Sequence, residues 1–543
     1  MVKYKAKKKE NIKNKNYKSN FLSNSYFLLF LIVFAAFIVF SYGLNCGFVN
    51  WDDPAMVTDN TQVQSQLSLK SIQDIFAVKS MSNEYQPLTT IVYHVIYNTF
   101  NLDSFYFHLF NIVFHLINII LVFIFIRLLF VKDTIALITA AFFAIHPLNV
   151  EVVVWVSAAN YILFSFFSLL SLIFYIKYIK EKNKIKYFIW TFVVFTMALL
   201  SKSTAFIVPL LFLLIDYLSS RKISINVVLE KTPFFLLSLG TALIAIFLKK
   251  QILSANAQII YTFYDRILFI FYSFGLYIIK LIFPFDLKIV YAYPVKVNNI
   301  LPLELYFIPF LIILGIVLLL VYFKKNRKLI IFSMLFFLFN IIMVIHIIPY
   351  YHISIIAERY VYLASLGVFV LLAHYLVRFK EENKHVLKNS IYGVVIIYFV
   401  VFLVNSTQRV RVWESDKTLF ADLIRKNPEE PVSYNNLGNK EDMVGNHEKA
   451  IEYYNKALSI NDNYAEAFYN RGLSYYKLKD FDKAHTDFDK AIQINPNFSK
   501  AFNNRGTAKY FLNDPKGACN DWRKALALGY IEAKENIQEF CKE

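Results

Sequence analysis

Residues 25–44 read SYFLLFLIVFAAFIVFSYGL, 20 positions without a charged side chain. A helix of that length and polarity crosses the roughly 30 Å hydrocarbon core of a bilayer. Eight lysines (Lys3, Lys5, Lys7, Lys8, Lys9, Lys13, Lys15 and Lys18) and the single acid Glu10 lie in the first 20 residues. A basic arm can also suit nucleic acid, but lysines directly beside a first apolar span act as a positive-inside anchor. The arm, residues 1–24, is therefore expected in the cytoplasm, and no nucleic-acid partner is expected. The run is too long for the apolar region of a signal peptide. Leu44-Asn45-Cys46 lacks the small residue a lipoprotein cleavage site needs, so the run stays as a helix.

Outward from this helix the chain keeps the same character. Of its 543 residues 57% are apolar and 18% charged, with mean hydropathy +0.45, against about 45–50% and 25% in a soluble domain. Only 13 glycines and 14 prolines occur, which disfavours both a turn-dense β fold and a disordered chain. What remains is an all-α, polytopic membrane protein. Cys46, Cys519 and Cys541 make neither a disulfide framework nor a CxxC metal or redox spacing.

Further apolar segments fall near 106–130, 134–148, 160–179, 186–200, 203–218, 232–250, 266–283, 303–323, 329–349, 359–378 and 389–407. The basic arm, Lys177–Lys186, Lys324–Lys328 and Arg378–Lys388 all ask for the cytoplasmic side. Five segments separate the second cluster from the third, and an even number of crossings is required. One of them therefore does not cross fully. The segment 266–283, with Tyr272, Ser273, Gly275, Tyr277 and Lys280, is the candidate re-entrant piece. About eleven crossings result, forming a transmembrane domain over 25–407 with an outer loop at 45–105. The C-terminus is then extracytoplasmic. The Lys-, Asn- and Ile-rich composition hints at a bacterial chain, for which outside means the periplasmic side of the inner membrane.

The polar tail, 408–543, repeats itself. Asn436-Leu437-Gly438 returns as Asn470-Arg471-Gly472 and Asn504-Arg505-Gly506. Ala450, Ala484 and Ala518 keep the same interval, as do Ala457, Ala491 and Ala525 and the aromatics Tyr454, Phe488 and Trp522. A period of about 34 is that of tetratricopeptide repeats, pairs of antiparallel helices stacked into a solenoid. Repeats are expected over 431–464, 465–498 and 499–532, with Ile531–Cys541 as a capping helix. A generic helical bundle would not hold this phase.

Charges in or beside a span are costly and so are candidates for function. Asp52-Asp53, just past the first span, can hold a cation, or one can act as a general base while the other raises its pKa. A solvated loop with a helix-starting Asp-Pro is the equal alternative. His146-Pro147 with Glu151, Ser201-Lys202-Ser203 and Glu358-Arg359-Tyr360 all fall at outer membrane edges, with Lys202 read as facing the interface. Two cations beside several carboxylates suit a lipid-linked phosphate, which arginine grips bidentately. Mutual pairing of Glu358 with Arg359, or headgroup anchoring, is the plainer reading for each residue alone. His108, Asn111 and His115 share one helix face and are read as interhelical hydrogen-bonding groups rather than metal ligands, since a third strong ligand is missing.

Taken in order, Phe48-Val-Asn-Trp-Asp-Asp-Pro54, Tyr85-Gln-Pro-Leu88, Phe107-His-Leu-Phe-Asn111 with His115, His146-Pro147 with Glu151, Leu200-Ser-Lys202 with Pro209 and Asp216, and Ala357-Glu-Arg-Tyr360 resemble a known family. It is that of the transmembrane and tetratricopeptide repeat-containing O-mannosyltransferases and their bacterial relatives, of the C-type glycosyltransferase superfamily. The resemblance covers nearly the whole chain. It implies transfer of a sugar, mannose in the family, from a polyprenyl-phosphate donor to a protein hydroxyl outside the cytoplasm, with inversion. It also implies Asp52 and Asp53 as the catalytic pair. From charge and side, Lys202 and Arg359 are expected to bind the donor phosphate, with His146, Glu151 and Glu358 in support. The repeats are expected to bind the acceptor or a partner protein. No cofactor is assigned, and whether a divalent cation (Mg or Mn) helps is left open, because an acidic pair can act as base without one. The chain departs from the family at Gln86, where arginine is common, and at Ala159 and Tyr161, where a basic–acidic pair is common. A non-enzymatic membrane-anchored repeat scaffold is the alternative function, and a lipid-linked-sugar flippase a more distant one.

Overall fold

Inside a bilayer no water can satisfy a backbone N–H or C=O, so apolar sequence of this kind becomes helix. The computed structural model describes residues 24–77, 85–181, 184–222, 224–256, 261–347, 354–382 and 385–541, and among these there is no β-strand. The basic arm, up to residue 23, lies outside the described residues, as does the end of the 329–349 segment. The protein is a multi-pass membrane protein with a helical solenoid at its C-terminal end.

Six helices among the described residues are long and apolar enough to cross a membrane: Ser25–Asn45, Ser104–Phe130, Val156–Lys180, Lys184–Ser201, Glu304–Tyr322 and Gly393–Val412. Asp133–Ile145 and Pro147–Val154 make a seventh if the pair, bent by 54°, is one span. The other apolar helices, Ser203–Leu218, Thr232–Ile244 and Ser365–Phe379, are shorter. Helix Phe263–Ile282 starts beside the loop it precedes, where Asp265 meets Lys296 at 2.6 Å. It ends at His146, whose Nε2 lies 3.0 Å from the Leu281 carbonyl. Glu304–Tyr322 is almost wholly unburied, as suits a lipid-facing helix.

Of the three residues read from one face of the second span as interhelical hydrogen-bonding groups, Asn111 and His115 fill that part, whereas His108 is buried with neither ring nitrogen hydrogen-bonded among the described residues. Asn111 donates to the Trp155 carbonyl at 3.0 Å, and His115 lies 2.7 Å from the Tyr362 hydroxyl and 3.0 Å from the Ala144 carbonyl. Far from this face, buried Asp216 and Lys231 pair at 2.8 Å, and Arg221 pairs with Glu230 at 2.6 Å, closing the turn between two helices.

The membrane core does not stop with the last long helix, His385–Val412. Val410, Trp413, Leu419, Phe420 and Leu423 belong to the same apolar cluster as the transmembrane helices. The last three come from helix Asp416–Lys426, which precedes the repeats.

The repeats are helix pairs: Pro431–Met443 with His447–Ile460, Ala465–Lys477 with Phe481–Ile494, and Ser499–Phe511 with Pro515–Ala527, followed by helix Ala533–Phe540. The repeating glycine and aromatic are two sides of one contact. A Cβ on Gly438 would lie 2.5 Å from the Tyr454 ring, and one on Gly506 2.9 Å from the Trp522 ring. Arg471 and Arg505 each clamp the second helix of their repeat through both carboxylate oxygens, of Asp487 and Asp521, at 2.7–2.8 Å. The first repeat has Leu437 at this position, and Leu437 packs on the membrane core instead. Contrary to the cysteine reading, Cys519 and Cys541 form a disulfide that staples the last helix to the third repeat. Sequence spacing alone conceals it, since Cys519 inside one helix and Cys541 at the end of the next are 22 positions apart until the two helices pack together.

Candidate active site

The chain leaves the first span in a 3₁₀ turn, Tyr42–Asn45, and enters a single π-type turn, Pro54–Thr58, whose cap is Asp53. Proline starts this turn at no cost, since its missing N–H would have no helical partner there. Consecutive side chains at such a turn point apart, and the two aspartates separate accordingly. Asp52 is exposed, whereas Asp53 is 1% exposed. One Asp53 oxygen accepts from the Val49 amide at 2.8 Å, and the other from the Ser157 amide at 3.1 Å and hydroxyl at 2.5 Å. Burial pushes the Asp53 carboxyl up to about 7, against the pull of the Ser157 and Val49 donors and with a further push from Asp52. Asp53 therefore ties the outer loop to the segment Val156–Ala158, and Asp52 is the carboxylate turned outward.

His146 breaks the bent pair. Its Nδ1 accepts from the Leu148 amide at 3.2 Å, capping the turn Pro147–Asn149, while Nε2 donates to the Leu281 carbonyl. Both ring nitrogens are thus engaged, one at the bend that leads into the short helix Val150–Val154 and one with the end of helix Phe263–Ile282. Five residues on, Glu151 is 1% exposed. It accepts from the Arg359 amide at 3.0 Å and from the Arg359 guanidinium at 2.5 Å. The guanidinium also lies over the rings of Trp155 (5.4 Å) and Tyr360 (5.0 Å). Burial opposes the charge on Arg359, but Tyr360, Glu151, Tyr161 and Asp52 raise its pKa well above the ordinary value. Asp52 is thus within electrostatic reach of a permanently charged arginine.

Glu358 does not join this group. It sits in the 3₁₀ turn Glu358–Val361, where neighbouring side chains lie a third of a turn apart. It faces Tyr291 (3.2 Å) and Arg409 (3.1 Å) rather than Arg359. The alternative reading, in which Glu358 and Arg359 pair with each other, is thereby set aside: each has a different partner. Lys202 also differs from expectation, being 4% exposed rather than at the interface. Its ammonium lies 4.1 Å from the Tyr161 ring, and Thr89 of helix Pro87–Phe100 holds the preceding Ser201 carbonyl at 3.0 Å. Tyr161 in turn meets Tyr360 at 6.0 Å. The two cations are therefore linked through aromatic rings at one end of the bundle. Arg359, Tyr161, Tyr360, Ser165, Thr204 and Asn340 help line a small cavity of about 20 Å³ there.

Sequence reasoning missed Ser157 and Asn160, and marked Gln86 only as a departure from the resembled family. Buried Gln86 accepts from Asn160 at 2.7 Å, so a neutral amide pair occupies the ground where the resembled family carries charge. Among the described residues no three His, Cys, Asp or Glu groups converge, and the Asp53 oxygens already accept three hydrogen bonds.

Residues 87–249 match the dolichyl-phosphate-mannose-protein mannosyltransferase family, and residues 445–479 and 465–498 match tetratricopeptide repeats. The chain is 24% identical over 509 aligned positions to the protein O-mannosyl-transferase TMTC3 of Mus musculus, covering 82% of this chain and 52% of that protein. It is 27% identical over 124 positions to the Homo sapiens TMTC3, covering 23% of this chain and 13% of that protein. The chain thus spans about half the length of the mouse relative. Among solved structures, the second repeat domain of human RPAP3 in complex with an HSP70 peptide is 30% identical. It covers 21% of this chain and 96% of that one, with TM-score 0.20. A mannosyltransferase-type membrane segment followed by tetratricopeptide repeats matches the family read from the motifs, the transmembrane and tetratricopeptide repeat-containing O-mannosyltransferases.

Proposed function

We propose that the protein transfers a sugar from a polyprenyl-phosphate donor to a hydroxyl of an acceptor protein, on the side of the membrane where Asp52 lies. The observation that carries this is the division of the acidic pair: Asp53 clamps the loop, and Asp52 stands exposed in the field of Arg359. Asp52 takes the proton of the acceptor hydroxyl as its oxygen attacks the anomeric carbon. The bond from that carbon to the phosphate oxygen breaks, inversion follows from attack opposite the leaving group, and the lipid phosphate leaves with the electron pair. Arg359, aimed by Glu151, stabilises the charge that grows on the phosphate, the term on which catalysis most often depends. Lys202 adds to the local positive potential from behind Tyr161. A divalent cation remains outside this scheme.

Mannose is the donor sugar suggested by the descriptions of the matching family and of the relatives. The repeats supply a surface for the acceptor or a partner protein. The Cys519–Cys541 disulfide supports an extracytoplasmic solenoid, because such bonds persist in oxidising compartments. With the N-terminus cytoplasmic, about eleven crossings satisfy that arrangement. The neutral Gln86–Asn160 pair favours, as a second reading, a membrane-anchored scaffold that has lost transfer.

The test is sugar transfer in membranes from a panel of labelled polyprenyl-phosphate sugars. Loss of a general base typically costs about 10²–10⁴-fold, so Asp52→Asn is expected to lose at least about a hundredfold in rate while the protein stays folded. Transfer unaffected by Asp52→Asn, or absent from every donor in the wild-type protein, would move the assignment to the scaffold.

A further inference from the structure

The segment joining the last span to the first repeat touches both halves of the site. On one side it holds the outer loop. The Gly47 amide donates to the Glu414 carbonyl at 3.0 Å, Tyr42 donates to the Glu414 carboxylate at 2.8 Å, and the Asn50 amide donates to Asp416 at 2.5 Å, two residues before Asp52. Trp51 packs against Phe420, ring centres 6.3 Å apart. On the other side it holds the floor under Arg359. Trp413 stacks on Trp155 at 5.5 Å, the same indole over which the Arg359 guanidinium lies. Arg409, 5% exposed, bridges Glu358 and Asp422 at 3.1 Å each, fixing the residue next to Arg359.

The same segment is the foot of the solenoid. Lys440 of the first repeat pairs with the second oxygen of Asp416 at 3.1 Å, and Leu437 packs into the membrane core where later repeats carry a clamping arginine. One carboxylate, buried Asp416, therefore contacts the first repeat and the loop bearing Asp52 and Asp53 at once.

We propose that Arg409–Lys426 is a positioning strut, in which Asp416 sets the outer loop against Arg359 and couples that setting to the first repeat. Its catalytic consequence rests on the transferase reading above; its structural core does not. Asp416 touches no reacting atom and acts through Asn50. Asp416→Ala removes the acceptor of the Asn50 amide, whereas Asp416→Asn keeps an acceptor oxygen and loses only the charge shared with Lys440.

The experiment is amide hydrogen exchange on the full chain, with transfer kinetics on the same preparations. In Asp416→Ala, exchange over residues 47–53 is expected to accelerate at least about tenfold, as loss of a hydrogen bond to a charged group implies. Protection over 465–527 should persist, which shows that the variant is folded. The kcat for transfer is expected to fall about ten- to a hundredfold, as for a misplaced catalytic group, with KM for the lipid donor within about twofold. Asp416→Asn is expected to restore both exchange and kcat. Unchanged exchange over 47–53 in Asp416→Ala would overturn the strut. Faster exchange with undiminished kcat would overturn its positioning role, and an Asn variant indistinguishable from Ala would overturn Asn50 as the link. A wild-type protein that transfers no sugar would sink the enzymatic reading alone, since exchange still decides whether Asp416 orders the loop.

Discussion

Asp53 shows how one residue can be prominent in sequence and yet be assigned its part only by burial. The pair Asp52-Asp53 is legible as a candidate, but two identical side chains side by side carry no mark of which is turned outward. The buried one has its carboxyl pushed up to about 7 by burial, against about 3.9 in an unfolded chain. Its contribution to stability is therefore complete below about pH 4, where both states are protonated. It is lost as pH rises toward 7, because the unfolded state releases its proton first and so binds fewer protons than the native state. Thermal unfolding in detergent between pH 4 and 7.5 is expected to show wild type losing stability with rising pH, and Asp53→Asn lacking that slope. Equal slopes would mean that Asp53 is ionised throughout. Glu358 and Arg359 teach the same lesson: adjacent in sequence, they are held by Arg409 and Glu151 respectively, because a 3₁₀ turn sends them different ways.

At the scale of elements, the repeats were the most readable part, since a 34-residue interval in small and aromatic positions reports helix pairs without any tertiary information. What the interval does not disclose is that Asn-Leu-Gly, against two copies of Asn-Arg-Gly, distinguishes a docked repeat from two self-clamped ones. The clamp itself is testable. Arg505 binds Asp521 through two nitrogens and Asp489 through a third. Arg505→Ala is expected to destabilise the third repeat by about 1.5–3 kcal/mol, the range for hydrogen bonds to charged groups. Faster exchange confined to 499–527 would register it, and unaltered protection there would show the clamp to be redundant. The outer loop was less readable. Residues 45–105 look like one polar excursion, yet helix Pro87–Phe100 buries Thr89, Thr90, Tyr93 and His94 against its neighbours. Its apolar face is short and interrupted by hydroxyls, so periodicity marks it only weakly.

At the scale of the whole molecule, the candidate site is an assembly of residues 52–53, 146–161, 201–204 and 358–360, with 409–426 beneath it. These segments share one end of the bundle through Asp53–Ser157, Glu151–Arg359, Thr89–Ser201 and Asn50–Asp416 contacts. Solenoid and site therefore lie on the same side of the membrane, whichever side that is. The disulfide provides the test. Peptides recovered from membranes after thiol blocking, without reduction, are expected to carry Cys519 and Cys541 linked, and a reporter fused after Glu543 is expected to read as extracytoplasmic. Blocked free thiols with a cytoplasmic reporter would invert the topology and move the site with it.

Composition and periodicity by themselves determined that this chain is helical, lies in a membrane and ends in tetratricopeptide repeats. Each of these is a local property: twenty uncharged residues must form a helix in lipid, and a 34-residue phase must form stacked helix pairs. The ordered motifs also marked Asp52, Asp53, Lys202 and Arg359 as the residues to watch. Tertiary structure alone decided which carboxylate is buried, which acid holds Arg359, that Lys202 sits behind a tyrosine ring, and that the foot of the solenoid touches the loop with the acidic pair. Those are contacts between residues up to 372 positions apart. Nothing in the local chemistry of either partner specifies the other until packing brings them within hydrogen-bonding distance.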